Sequence, residues 1–306
     1  MAAPAPAAPQ HLPWGAEDLW QTLQPLLPGL SIEVVAQIGS TNTELLERAR
    51  HGLRPSPQDH GQVPAGPAPG RRQGDTQPCL LVAEQQTQGR GRQGKAWLAS
   101  AGASLTFSLS LPLAPRDWSG LSLAVGVALA DALDPLGAGE LPRIGLKWPN
   151  DLLLLDREGE AIGRKLGGIL IETVSVGAQR MAVIGIGLNV QPQPLAGLAW
   201  GYACLQELDA RFTAPLALAT LAEPLVRTVL AFERDGFAPL QPRYARRDAL
   251  QGRAVSTTLA ELPEGIADGV AEDGALWLRV GDRRERLASG ELSLRLSPGS
   301  GGAGAC

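Results

Sequence analysis

Cysteine is scarce in this sequence, and the three present, Cys79, Cys204 and Cys306, lie far apart. Their scatter offers neither the close spacing of a metal site nor a disulfide framework. An excess of one charge is missing too, since 27 Lys and Arg stand against 31 Asp and Glu for a net charge of −4. That balance supplies no bulk attraction to nucleic acid or acidic membranes, so any anion site must be a local concentration of cations. No purely apolar stretch approaches the roughly 18 residues of a membrane span. Residues 1–9 are Ala/Pro-rich and lack the basic start and apolar stretch of a secretory signal. No internal repeat is visible. A cytoplasmic globular protein is the expectation, with 306 residues enough for one sizeable core and a small second domain.

Composition divides the chain. Residues 1–30 read as an N-terminal extension, partly disordered, and 53–78 as a disordered insertion too rich in Pro, Gly and polar residues to bury a core. The Gly/Ser tail 297–306 is expected to be disordered as well. Between them, strands are expected at 31–37, 80–83, 144–147, 152–155, 166–172 and 181–186, with a turn at 157–159. Leu105, Phe107, Leu109 and Leu111 alternate with small polar residues, the sign of a half-buried strand. Helices are expected at 41–50, behind a Ser or Thr cap, and at 117–136, 215–235 and 240–250. From Gly252 the texture changes to short strands split by Gly and Asp, with Asp273-Gly274 marking a hairpin. Residues 31–250 therefore form the main domain and 251–296 a small all-β domain.

Four segments could carry chemistry. Gly89-Arg90-Gly91-Arg92-Gln93-Gly94-Lys95 can bring backbone N–H groups and guanidinium forks onto phosphate or carboxylate oxygens. It is neither a Walker loop nor a dinucleotide fingerprint, and a solvated turn has the same composition. In Lys147-Trp148-Pro149-Asn150-Asp151 the proline stiffens a run that presents a cation, an amide and a carboxylate; a strand end with a turn-forming Asn-Asp is the plainer reading. Arg164-Lys165-Leu166-Gly167-Gly168-Ile169-Leu170-Ile171-Glu172 places two cations and two glycines in an apolar strand, which suits close approach of a ligand or a bulge. Ile184-Gly185-Ile186-Gly187-Leu188-Asn189 is a buried strand whose bare positions could line a cavity or serve only packing.

Taken in order, with Gly39-Ser40-Thr41-Asn42 upstream, these segments resemble the catalytic domain of bacterial biotin protein ligases (biotin–[acetyl-CoA-carboxylase] ligases). The resemblance covers residues 32–296, and the 53–78 stretch is extra to the family pattern. It implies an α+β fold: a mixed β-sheet with helices on one side, of the class II synthetase-like type, followed by an SH3-like barrel. It also implies ATP-dependent activation of biotin to biotinyl-5′-adenylate, then transfer to a lysine of a biotin carboxyl carrier protein or of other biotin-dependent carboxylases, with Mg²⁺ accompanying ATP.

The same resemblance assigns roles. Arg92 bridges the biotin carboxylate and the α-phosphate, with Gly89, Arg90 and Gly91 closing over biotin. Ser40, Thr41, Asn42, Gln86, Lys165 and Gly168 meet biotin. Lys95, Trp97, Lys147, Asn150 and Asn189 meet ATP. Asp151 holds Mg²⁺ or orients the incoming amine, whose ordinary pKa is about 10.4. Lys95 departs from the family's usual arginine and lacks its bidentate fork. The short, proline-bearing segment ahead of residue 32 carries no basic recognition helix, so a form without a DNA-binding domain is expected and no nucleic-acid partner. A lipoate–protein ligase and a non-catalytic biotin-binding protein are the competing readings, and an exposed sheet edge could serve a homodimer or the carrier.

Overall fold

The computed structural model describes residues 12–51, 75–156, 163–193, 201–260, 262–288 and 295–296. Residues 1–11 of the N-terminal extension, most of the 53–78 insertion, the turn at 157–159 and the tail 297–306 lie outside these residues. In chain order the elements are α1 (Ala16–Leu23), β1 (Ser31–Ile38), α2 (Thr41–His51), β2 (Cys79–Gln86), β3 (Ser104–Pro112), α3 (Leu121–Leu133), β4 (Ile144–Lys147), β5 (Asp151–Leu155), β6 (Gly163–Val176) and β7 (Gln179–Asn189). α4 (Ala214–Asp235) and α5 (Gln241–Ala245) follow, then β8 (Ala254–Ser256), β9 (Glu264–Val270), β10 (Leu276–Val280), β11 (Arg283–Leu287) and β12 (Arg295–Leu296).

The first seven strands form one mixed sheet in the order β1-β2-β3-β7-β6-β5-β4, parallel between β1 and β2 and antiparallel elsewhere. Alternation sorts its side chains into two faces. Leu80, Val82, Leu105, Phe107, Leu109, Ile184 and Ile186 join the main core with α3 and α4. Leu81 and Val183 point the other way and pack with Leu45 and Leu46 of α2. The longer helices thus share one side as expected, while α2 covers part of the opposite side. That placement explains why β3 is buried along both faces rather than half-buried: Thr106, Ser108 and Ser110 lie on the α2 side, shielded from water.

α4 is long and apolar enough to cross a membrane by length and composition, at a mean hydropathy of 1.4. Here its Leu218, Leu221, Leu225, Val229 and Phe232 are buried in the core against α3 and β3. Other boundaries differ from the sequence reading for local reasons. α3 begins at Leu121, not 117, because Gly120 is left-handed (φ 81°) and Asp117 Oδ1 accepts from Ser119 N, forming a turn. The helix expected over 240–250 shrinks to α5, and the chain beyond it runs beside β4: Leu146 N donates to Arg247 O and Ala249 N to Leu146 O. Arg247 is drawn inward by Asp131 and Asp134 at 2.7 and 2.9 Å, and also donates to Ile144 O. Part of the N-terminal extension is packed, since Trp14 is buried and its Nε1 donates to Glu84 Oε1 at 3.0 Å.

A separate antiparallel sheet, β11-β10-β9-β8-β12, accounts for the C-terminal texture change. Its β9–β10 hairpin turns at Gly274, which has φ 82°.

Candidate active site

A cavity of about 400 Å³ opens on the α2 side of the large sheet. It brings together Ser40, Thr41, Asn42, Gln86, Arg90, Gly91, Arg92, Lys95, Trp97, Lys147, Asn150, Asp151, Lys165, Gly168 and Asn189. Gly89 alone of the residues singled out lies outside the lining. It has a backbone task instead: Trp97 N donates to Gly89 O, and a Cβ there would stand 2.4 Å from Trp97 O.

The loop after β2 folds as a tight hairpin. Arg90 pairs with Ala96, Gly91 N donates to Lys95 O at 2.7 Å, and Gln93 holds φ 55° without being glycine. Such a left-handed conformation is costly for a residue with a Cβ and is met most often where surrounding contacts impose it. The hairpin carries Arg90 to Glu172 of β6, 2.7 Å away, and Arg92 Nη1 to Asn150 Oδ1 at 3.4 Å. Burial lowers the Arg92 pKa from its ordinary value, against the pull of Asp151.

At one end of the cavity, the start of α2 is held by β2. Gln86 Oε1 accepts from Thr41 N at 2.7 Å, and Thr41 Oγ1 lies 2.6 Å from Ser108 Oγ. Ser108 donates to Asn42 Oδ1, while Asn42 Nδ2 donates to Leu170 O and to Glu172 Oε2. Asn42, expected to contact ligand, is therefore committed to the protein and braces the floor. Asn189 is similar: its Nδ2 donates to Lys165 O and Ala203 O, tying β7 to β6 and the 201–204 segment.

The bare strand positions explain the cavity's shape. A Cβ at Gly185 would stand 2.2 Å from Asn42 Oδ1, and one at Gly187 2.4 Å from Trp97 Cε2. These glycines thus admit side chains of the protein itself. Gly168 differs, since a Cβ there would make only ordinary contacts with Asp151 and Lys165. Trp97 lies over β7 with its buried Nε1 lacking a hydrogen-bond partner.

At the other end, Lys147 ends β4 and Asp151 begins β5, so the segment between them is the turn of a two-stranded hairpin. Asp151 Oδ1 receives Lys165 Nζ at 2.6 Å and its Oδ2 receives Lys147 Nζ at 3.4 Å. A bulge in β6 makes this possible. Leu152 pairs with Gly167 but Leu153 with Lys165, so Leu166 is the extra residue and Lys165 shares a face with Gly168. Burial alone would push the Asp151 carboxyl up, but the two lysines outweigh it and hold it below the usual carboxylate range. For Lys147, burial lowers the pKa, with Lys165 and Lys95 adding to it and Asp151 opposing.

The contacts of Asp151 bear on its expected metal role. Both its oxygens face ammonium groups, and no group of three or more His, Cys, Asp or Glu able to hold a metal occurs among the described residues. Mg²⁺ prefers several oxygen ligands and keeps much of its water, so Asp151 would supply one ligand beside the oxygens of ATP. Neither Glu172 nor Ser108 has a role legible in the sequence, although Glu172 ends the 164–172 segment and Ser108 is one of the small polar residues alternating along β3. The signal was present, but a partner more than 60 positions away gives it meaning.

The whole arrangement is a cleft with a cation-bearing loop above it, a polar network at the β2 end and a lysine–carboxylate–lysine cluster at the β5 end. It can hold an anion and exclude water from it.

Comparison with known proteins agrees with this architecture. The model of the biotin/lipoate A/B protein ligase family matches residues 72–189. The biotin–[acetyl-CoA-carboxylase] ligase of Mycobacterium tuberculosis is 34% identical over 276 residues, covering 85% of this chain and 88% of that one. The bifunctional ligase/repressor BirA of Escherichia coli is 32% identical, covering 88% of this chain and 75% of its own. In fold, the chain is similar to the biotin protein ligase from Aquifex aeolicus in complex with biotin and ATP, with a TM-score of 0.64, 23% identity, and coverage of 87% of this chain and 99% of that one. At this level of identity over most of both chains, the protein belongs to the biotin protein ligase family.

Proposed function

We propose that this protein activates biotin with ATP and transfers it to a lysine of a biotin carboxyl carrier protein. The observation that carries the reading is the convergence of Arg92, Lys95, Lys147 and Lys165 on one cavity whose other end is a polar hydrogen-bonding network. In the first step a biotin carboxylate oxygen bonds to the α-phosphorus of ATP and the bond to pyrophosphate breaks. In the second, the lysine nitrogen bonds to the biotinyl carbon and the acyl–phosphate bond breaks, releasing AMP.

The first step must bring a carboxylate to a polyphosphate, so fixed cations are what the protein supplies. Arg92 would bridge the two anions, with Lys165 beside the new carbonyl and Lys147 on the phosphates. Mg²⁺ would arrive on the oxygens of ATP. Ser40, Thr41 and Gln86 suit the ureido ring of biotin, which needs both donors and acceptors. Asp151 acts best as a positioning residue. A carboxylate held below its usual range is a weak base for an ammonium, but it fixes two lysines at once. Residues 31–250 would carry the chemistry and 251–296 support it.

The test is the intact mass of a purified apo biotin-carrier domain after incubation with this protein, Mg·ATP and either biotin or lipoate. ATP-dependent gain of one biotin, lost with Arg92→Gly, supports the proposal. Transfer of lipoate without biotin, or binding of biotin with no transfer to any carrier, overturns it.

A further inference from the structure

The turn between β4 and β5 has two sides. Lys147, Pro149, Asn150 and Asp151 line the cavity, whereas Trp148 points away from it and is wholly buried. Its Nε1 donates to Gly274 O at 3.0 Å, a hydrogen bond from the active-site turn to the tip of the β9–β10 hairpin in the C-terminal sheet.

That tip is tightly defined. Ala271 N donates to Ala275 O, Gly274 N to Ala271 O, and Ala275 N to Asp273 Oδ1. It also meets the start of α3 backbone to backbone. Gly274 and Gly120 are both left-handed, at φ 82° and 81°, and a Cβ on Gly274 would stand 2.6 Å from Gly120 Cα. A Cβ on Gly120 would stand 2.7 Å from Phe237 Cβ and 3.0 Å from Asp273 O. Neither position accepts a side chain, so the Gly274 carbonyl is held at a fixed height beneath Trp148. A second tie lies away from the turn, where Gln241 Nε2 donates to Val270 O at 2.6 Å.

From this geometry we infer that Trp148 is a positioning residue through which the C-terminal hairpin sets the placement of Lys147 and Asn150 at the phosphate end of the cavity. The inference rests on the proposed ATP chemistry. Trp148 touches no part of the cavity, yet it lies between two residues that do, in a turn stiffened by Pro149. A shift of the tip must therefore move the turn. The opposite end of the cavity is shielded by distance. The strand bearing Gln86 lies four inter-strand steps from the one bearing Asp151, about 19 Å across the sheet. Loosening the tip should therefore weaken ATP binding far more than biotin binding, whose ring contacts lie at the far end. A contact that only stabilised the fold would affect both ligands together.

The test uses the full chain and measures ATP and biotin affinity separately by calorimetry. Trp148→Phe keeps an aromatic side chain, though a smaller one, and removes the donor. Gly274→Ala lifts the carbonyl from the other side. Gln241→Ala loosens the same pair of domains away from the turn. Losing one buried hydrogen bond corresponds to about a tenfold change, so Trp148→Phe and Gly274→Ala should each weaken ATP binding by about that factor. Biotin affinity should stay within about twofold in both, and Gln241→Ala should alter neither ligand. ATP affinity equal to wild type in both turn variants overturns the inference, whatever their melting temperatures. Parallel loss of both ligands also overturns it, because the contact would then serve folding alone. A wild-type protein that binds no ATP would overturn the proposed function itself, a result readily told apart from the other two.

Discussion

Lys165 Nζ lies 2.6 Å from Asp151 Oδ1, and only the bulge at Leu166 allows these residues to face each other. In an unbulged strand, Lys165 and Gly168 would lie on opposite faces, because side chains alternate. The pair therefore depends on one extra residue in β6, and Lys147 completes the cluster from the neighbouring strand.

Replacing Asp151 by Asn should free both lysines without changing side-chain volume. We expect the rate of adenylate formation to fall by about 100-fold, the scale of a misplaced catalytic group. Asp151 is also the main influence raising the Lys147 pKa against burial. Its loss should lower that pKa further, moving the alkaline limb of the pH–rate profile to lower pH. Single-turnover rates across pH check both effects, and an unshifted limb would refute the second.

Gly187→Ala should act on the loop from beneath. The added methyl would stand 2.4 Å from the Trp97 ring, so the ring and the hairpin bearing it must move. Weaker ATP binding with little change in fold stability is the expected outcome. In the Gly187→Ala/Trp97→Ala double variant the clash is gone, and the two effects should combine to less than their sum, as residues in contact do. Strict additivity would show that the ring had not been displaced.

Asn42→Ala tests the brace. It removes the group bonded to Ser108, Leu170 O and Glu172 and leaves their buried polar atoms short of partners. A loss of about 1–3 kcal/mol of stability is expected from the unsatisfied groups. Denaturant titration measures it, and an unchanged midpoint would mean that water replaces the amide without cost.

Asp248 should make stability depend on pH. Burial pushes its carboxyl up to about 6, and neither its Oδ2 nor the nearby Tyr244 hydroxyl has a hydrogen-bond partner. Because the folded pKa lies above the unfolded one, the native state binds the extra proton between the two. Stability is then full below about pH 4 and falls as pH rises through about 6, by at most about 3 kcal/mol. Asp248→Asn should keep the bond from Leu250 N and remove this loss. Its melting temperature should exceed the wild type's at pH 7 and match it near pH 4. A difference independent of pH would assign the effect to packing.

Much of the architecture was legible in order along the chain. Alternation over 105–111, helical spacing from Leu121 and the Asp273-Gly274 turn each lie within one window, and local propensity decides them. The charged segments were legible for the same reason, since Arg92, Lys147 and Lys165 sit in short runs whose composition is unusual by itself. What the sequence determined by itself was therefore which strands and helices form, and which segments bear cations.

Only the tertiary structure decided how those cations are used. Asn42 and Trp97 fill the spaces over Gly185 and Gly187, so residues expected to meet ligand partly serve the protein. Asp151 faces two lysines from neighbouring strands, and Arg247 turns an expected helix into a chain that runs beside β4. Trp148 finds its acceptor 126 positions away. Each outcome depends on partners brought together by strand register, a bulge or a close backbone approach. Those are properties of packing between distant segments, and no local pattern of residue types encodes them.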